Sequence, residues 1–302
     1  MLSAMSHANV IALVARSVAG VGTRVFVSEH ANLSVSAQNV RTFRGRLMGR
    51  FLRWTYPGAD GVIAVSQGVA DDLALNIGMP RESIEVIYNP VVTDELSTLA
   101  SVCTGHPWFE KGEPPVILGV GRLEKQKDFA TLIRAFKKLR ENREVRLMIL
   151  GEGALLGELR SLTKELGLDN EVSFPGFVDN PYSFMRSSSL FVLSSAWEGF
   201  GNVLVEAMAC GTPVVSTDCP SGPSEILENG KWGRLVPVGD IDALARAMEV
   251  TLDESAHPDV AARAAEFNVQ NAVEGYLKLL LPHSASIEEE CHKQSSRGLS
   301  RD

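Results

Sequence analysis

What the sequence lacks narrows its function first. It has only four cysteines, Cys103, Cys210, Cys219 and Cys291, far apart and with no C-x-x-C pair. That leaves neither a zinc knuckle nor a disulfide framework, and a reducing, cytoplasmic setting is expected. Positive charge is also short, since 29 Lys and Arg against 37 Asp and Glu give a formal net charge of −8. A general nucleic-acid binder is excluded, because a phosphate backbone requires a basic face. No window reaches the roughly 18 uninterrupted apolar residues of a membrane-spanning helix. The apolar start of the chain is broken by His7 and Asn9 and has no basic residues before it, unlike a signal peptide.

What is present is a globular composition, 45% hydrophobic and 22% charged over 302 residues, enough for two domains with separate cores. Short β-branched runs alternate with stretches of helical period, the pattern of βαβ units and a parallel sheet buried on both faces. Strands are predicted at Val25–Ser28, Val62–Val65, Glu85–Tyr88, Val116–Val120, Arg146–Leu150, Val172–Phe174, Leu190–Leu193 and Val214–Thr217. Helices are predicted at Ser66–Asn76, Asp128–Arg140, Leu155–Leu166, Gly201–Ala209 and Asp240–Leu252. The fold class is therefore α/β. The Gly- and Pro-bearing stretch from Asn89-Pro90 to Pro114-Pro115 has little regular pattern and reads as an inter-domain linker. The expected division is a first domain with linker over 1–112, a second domain over 113–265, a closing helix over 266–282 and a disordered polar tail over 283–302.

The most informative string runs from Glu198-Gly199-Phe200-Gly201-Asn202 through Glu206 to Gly211-Thr-Pro213. It reads as a strand end, a glycine-rich turn, a helix N-terminus and then another strand. Gly199 and Gly201 allow backbone N–H groups close to a ligand, and the helix start favours a diphosphate. Glu206, on the helix, has the two acceptor oxygens that hold vicinal ribose hydroxyls, and Glu198 can do the same for a sugar. Taken alone, either carboxylate is more often structural, Glu198 as a solvated charge at the helix start. A second string, Gly121-Arg122-Leu-Glu-Lys125-Gln-Lys127-Asp128, leaves a strand and enters an amphipathic helix. Arg122 can fork across two phosphate oxygens and Lys127 can add a point charge. Cations at a helix N-terminus oppose its dipole, which argues for an anion there.

Together these strings resemble glycosyltransferase family 4, whose Glu-x7-Glu motif and Gly-Arg…Lys phosphate clamp they match over almost the whole chain to about Leu280. The resemblance implies the GT-B fold, two Rossmann-like domains with parallel sheets, and a retaining transferase that takes its sugar from a nucleotide-sugar donor, with UDP preferred over GDP. It implies that Glu198 contacts the donor sugar, Glu206 the ribose, and Arg122 with Lys127 the departing diphosphate, and that Gly199, Phe200, Gly201 and Asn202 line the donor. Gly121 and Gly153 lie beside the nucleotide, and Val178 with its neighbours supplies backbone groups to the base. The chemistry implied is front-side, with the donor phosphate as local base and no protein nucleophile. The wording of the motifs is similar to enzymes that add hexoses or N-acetylhexosamines to lipid-linked or surface glycans in cell-envelope polysaccharide synthesis.

Other features are weighed beside these. Gly119-Val-Gly121 and Gly151-Glu-Gly153 lack the third glycine of a dinucleotide fingerprint. Asp240-Ile-Asp242 spells a metal-binding D-x-D, yet Asp240 precedes an alanine-rich helix and reads as its N-cap; neither a metal nor any other cofactor is expected. His7 and His30 are candidates for the acceptor or sugar side, His30 because it ends a strand where α/β sites collect. Arg41, Arg44, Arg46, Arg50 and Arg53, interleaved with apolar residues and free of acids, suit either an anionic lipid surface on the inner face of the cytoplasmic membrane or a helix packed on its own domain. The departure from the family is at the beginning. Its opening strand and glycine-rich loop are not evident before His7, so an incomplete first domain is expected, from a misplaced start codon or a genuine fragment. That keeps open a catalytically weak nucleotide-sugar-binding fragment and a GT-B-fold sugar-nucleotide epimerase.

Overall fold

The structure, a computed structural model, describes residues 1–34 and 43–281. The polar tail expected over 283–302, with Cys291, and Arg41 of the arginine-rich stretch lie outside these residues.

The first half of the chain runs β1 (Leu2–Ala4), α1 (Ser6–Ala19), β2 (Phe26–Glu29), α2 (Phe43–Thr55), β3 (Gly61–Ala64), α3 (Gln67–Ile77), β4 (Ile84–Val86) and α4 (Asp94–Ala100). Its four strands pair in sequence order and all parallel. The second half runs β5 (Val116–Val120), α5 (Phe129–Arg140), β6 (Arg146–Leu150), α6 (Leu156–Glu165), β7 (Val172–Gly176), α7 (Pro181–Ser187), β8 (Leu190–Leu193), α8 (Asn202–Ala209), β9 (Val214–Thr217), α9 (Pro223–Ile226), β10 (Arg234–Val236), α10 (Ile241–Asp253), α11 (Val260–Ala264) and α12 (Val269–Leu280). Its six parallel strands lie in the order β10-β9-β8-β5-β6-β7. That is the doubly wound Rossmann order, which reverses between β5 and β8 and opens a crevice at their carboxyl ends.

The sequence pattern explains the central strands. Ile117, Leu118, Leu147, Met148, Phe191 and Val192 are all buried, so both sheet faces are covered and the strands read as continuous apolar runs. Several elements were not foreseen, four of them informative. β1 and β10 are three-residue edge strands, too short for a periodic signal, so the first sheet has four strands where three were expected. α4, with the 3-10 turn Pro107–Phe109, falls inside the stretch read as an irregular linker. α1 was passed over because Asn9 interrupts its apolar run. Asn9 is in fact fully buried and donates to Ser28 O at 3.0 Å and to the Tyr56 hydroxyl at 2.9 Å.

The two sheets share one core, in which Val27 and Ala64 of the first join Leu118, Leu193 and Phe200 of the second. A second cluster around Phe136 fills the other face of the six-stranded sheet. α12 then returns to the first sheet, packing Ala272, Tyr276 and Leu279 near Phe26 and Ile63. Asp240 accepts from Ala243 N at 2.8 Å and caps α10, as its position predicts.

Candidate active site

The carboxyl ends of β5 and β8 flank the reversal point, and they carry the two informative strings. After β5 the chain makes a tight turn through Gly121 (φ +155°) and enters α5 at Asp128. Asp128 is in the left-handed region (φ 43°), where its carboxylate receives Thr131 Oγ1 at 2.7 Å. Three successive strand ends are laced together here. Gly121 N donates to Leu150 O at 3.0 Å, Leu123 N to Glu152 O at 2.9 Å, and Gly151 N to Gly176 O at 2.8 Å. A Cβ on Gly151 would lie 2.1 Å from Gly121 O, and one on Gly153 would lie 2.5 Å from Leu123 O. These glycines therefore let loop pack on loop. They form a polar-backbone shelf at the carboxyl ends of β5, β6 and β7; Val178, two residues past the end of β7, is partly buried against the core.

Lys127 and Glu198 meet across the reversal point. Lys127 Nζ lies 2.6 Å from Glu198 Oε1, with side-chain exposures of 14% and 8%. The same oxygen accepts Ser195 Oγ at 2.6 Å, and Oε2 accepts Gln126 Nε2 at 3.3 Å. Lys127 was assigned to phosphate and Glu198 to sugar; in the ligand-free structure they neutralise each other, since two desolvated opposite charges stabilise one another strongly. Ser195 and Gln126 were missed. Only their folded position marks them, as neither residue type stands out in the sequence. Arg122 is 72% exposed on its side chain and reaches Glu124 at 3.3 Å. Its guanidinium is not gathered to Lys127.

Glu206 projects from α8 without a side-chain hydrogen bond among the described residues. Burial raises its carboxyl above the ordinary value, and the attraction of Lys127 offsets this only in part. The thiols of Cys210 and Cys219 are pushed up to about 12, by burial first and by Glu206 and Glu198 respectively, so both stay protonated near neutrality and neither is a nucleophile.

Two of the expected donor positions have packing partners that the sequence did not reveal. Gly199 was read as letting its backbone approach a ligand; a Cβ there would lie 2.1 Å from the backbone oxygen of His30, so its bareness also admits the first sheet. Phe200 was placed at the donor, but it is 2% exposed, stacks on Tyr88 at 5.4 Å and meets Phe267 edge-on at 5.3 Å. Its ring is part of the core between the two sheets. Gly201, in the left-handed region, starts α8 at the crevice, and Asn202 accepts Asn89 Nδ2 at 2.8 Å.

On the first sheet, the His30 ring lies 3.0 Å from Ser28 Oγ, and burial holds its pKa below the usual value. It is therefore neutral at pH 7. His7 is exposed in the first turn of α1. Glu29, next to His30 in the chain, is 1% exposed and receives Tyr56 OH, Ser6 Oγ and Asn9 Nδ2. Burial raises its pKa despite these donors.

The model for glycosyl transferases group 1 matches residues 106–267, and that for glycosyltransferase family 4 matches residues 4–95. The chain is 34% identical over 251 residues to an N-acetylgalactosamine-N,N'-diacetylbacillosaminyl-diphospho-undecaprenol 4-alpha-N-acetylgalactosaminyltransferase of Campylobacter jejuni, covering 83% of this chain and 66% of the relative. It is 32% identical over 231 residues to the lipopolysaccharide core biosynthesis glycosyltransferase LpsE of Rhizobium meliloti, covering 74% of this chain and 65% of the relative. The chain thus spans about two thirds of the length of these relatives. The solved structure of Anabaena HepE in complex with UDP and glucose superposes with a TM-score of 0.72 at 24% identity, over 94% of this chain and 78% of that one. That likeness shows the GT-B fold.

The Lys127–Glu198 pair generates a stability test. Replacing Lys127 with Met strands a desolvated carboxylate and should cost about 3 kcal/mol. Adding Glu198→Gln should recover much of that loss, measured by urea denaturation of the four proteins of the cycle. Strictly additive losses would show that the two charges do not depend on each other.

Proposed function

This chain belongs to the glycosyl transferases of group 1, and from that premise we propose that it moves a hexose or N-acetylhexosamine from a UDP-sugar to a lipid-linked or surface glycan, with retention at the anomeric carbon. The observation that carries the reading is the convergence, at the reversal point of a doubly wound sheet, of a buried Lys127–Glu198 pair and a half-buried Glu206 that has no side-chain hydrogen bond among the described residues. Support for the donor comes from the Anabaena protein solved with UDP and glucose. Support for the acceptor comes from the Campylobacter relative, whose name places its sugar on a diphospho-undecaprenol carrier.

In this reading the nucleotide lies along the shelf of Gly121, Gly151 and Gly153, its ribose hydroxyls donating to Glu206. The diphosphate meets the start of α8 and draws the Lys127 ammonium towards it, while Arg122 swings in from solvent to fork across the phosphates. Lys127 is then shared between phosphate and Glu198. The second oxygen of Glu198, held only by the longer bond from Gln126, receives a donor-sugar hydroxyl. Positive charge grows on the sugar as the phosphate leaves, so both the carboxylate and the cations act most strongly in the transition state. No metal or other cofactor enters this scheme; added EDTA should leave transfer unchanged, and loss of activity restored by a divalent cation would refute that part.

Calorimetry with UDP and with UDP-sugars separates the roles. Glu206→Gln should weaken both, Glu198→Gln should spare UDP while slowing transfer, and Arg122→Ala should weaken both by roughly 1.5–3 kcal/mol, the scale of a charged hydrogen bond. The raised Glu206 carboxyl adds a pH signature. Ribose donates to the ionised form, so binding lowers the pKa, and UDP-sugar affinity should fall as pH drops through the free-state value, which lies above the ordinary 4.5. Glu206→Gln should remove that dependence. Unchanged binding in all three variants would remove the assignment.

The acceptor reading places α2 at an anionic lipid surface, as a peripheral rather than spanning contact; among the described residues no helix is long and apolar enough to cross a membrane. Leu52 and Tyr56 are buried, while Trp54 is 73% and Phe51 40% exposed beside exposed Arg50 and Arg53. The helix thus packs one side on its own domain and keeps aromatic and basic groups outward, as an interfacial helix does. The side chains of Arg44 and Arg46 lie outside what is described. Binding to anionic vesicles should be lost at high salt, because the attraction decays over about 10 Å at 0.1 M. Equal co-sedimentation with neutral vesicles would count against it.

A further inference from the structure

Glu225 belongs to the second half of the chain, in α9, yet its carboxylate is bonded to the first half. Oε2 accepts Gln67 N and Oε1 accepts Gly68 N, each at 2.8 Å. These are the first two amides of α3, which an α-helix leaves without internal acceptors and where its dipole favours negative charge. The Tyr88 hydroxyl donates to Oε2 at 3.4 Å. Ser66, the fully buried N-cap of the same helix, accepts Val69 N at 3.1 Å and donates its hydroxyl to Gly199 O at 2.7 Å. The fit is close: a Cβ on Gly68 would come 2.8 Å from Ser221 Cα. One helix end is thus gripped by Glu225 and in turn grips the residue that follows Glu198.

We propose that Glu225 is a positioning residue, whose carboxylate docks on the first turn of α3, holds the two sheets together over the crevice and, through Ser66, sets the Glu198–Gly199 segment for transfer. The proposal rests on the reading of Glu198 as the donor-sugar contact. Every group in this brace bonds across the crevice, so it exists only while the sheets are together. The nucleotide shelf, by contrast, is built entirely from the second half. Loss of the brace should therefore leave nucleotide binding intact and slow the step that needs both halves.

The test uses Glu225→Gln, which keeps the length of the side chain and removes the charge that two amides require. Three quantities are read: amide hydrogen exchange over Ser66–Ala70, UDP affinity by calorimetry, and turnover of UDP-sugars. Exchange should speed up and turnover fall by about tenfold or more, the effect of one charged hydrogen bond, with UDP affinity within about twofold. Unchanged exchange or unchanged turnover would overturn the proposal. So would a UDP affinity that falls in step with turnover, which would make Glu225 a donor ligand. If Glu225→Gln lowers the melting temperature too far to assay, Gly68→Ala decides, because it pushes Ser221 away from the first half; it must reproduce the slow turnover with UDP binding kept. Absence of UDP binding by the unaltered protein would refute the donor reading instead, and the exchange comparison would still report on the brace.

Discussion

The carbonyl oxygen of His30 occupies the space that a side chain on residue 199 would need, and much of the site depends on that contact. It brings the end of β2 against the loop that carries Glu198, backbone to backbone. The contact is held in place by neighbours on both sides: Ser66 donates to the carbonyl of Gly199, Asn32 donates to Ser221 Oγ at 3.1 Å, and the Tyr88, Phe200 and Phe267 rings pack beneath. The same economy recurs at Gly222, with φ +97°, where a Cβ would come 1.8 Å from Phe200 O. Gly199 is needed for packing between the halves, and Gly222 for packing loop on loop within the second half.

Among the described residues, charge in the crevice is arranged as one satisfied pair and one group without a side-chain hydrogen bond. Glu198 has all its strong partners within the protein, whereas Glu206 has burial against it and only the distant pull of Lys127 in its favour. A carboxylate in that position gains most from new donors, which is why the proposed function gives it the ribose. In the same proposal a diphosphate competes for Lys127, and loosening that ammonium from Glu198 frees acceptor capacity for a sugar hydroxyl. The ion pair keeps two desolvated charges compensated in the ligand-free protein.

Much of this was legible in the chain. The runs at Val116–Val120, Arg146–Leu150, Leu190–Leu193 and Val214–Thr217 became strands with the predicted bounds, because strands buried on both faces leave an uninterrupted apolar signature. The edge strands Leu2–Ala4 and Arg234–Val236 left none, since three residues carry no period and an edge needs no apolar face. The buried cluster of Glu29, Tyr56, Asn9 and Ser6 was equally hidden, because its members are up to 50 residues apart and each is an ordinary polar residue until the others surround it.

The division follows from the range of the interactions. Local sequence determined which residues the proposed chemistry is assigned to: Glu198, Glu206, Arg122 and Lys127 sit in strings whose glycines, helix starts and strand ends are set by neighbours a few positions away. Tertiary structure alone decided what those residues face. It turned Phe200 inward, gave Gly199 to the backbone of His30, paired Lys127 with Glu198, and brought Glu225 onto the first turn of α3. Those outcomes depend on contacts between segments some 70 to 170 residues apart, and no local pattern encodes which distant group will arrive.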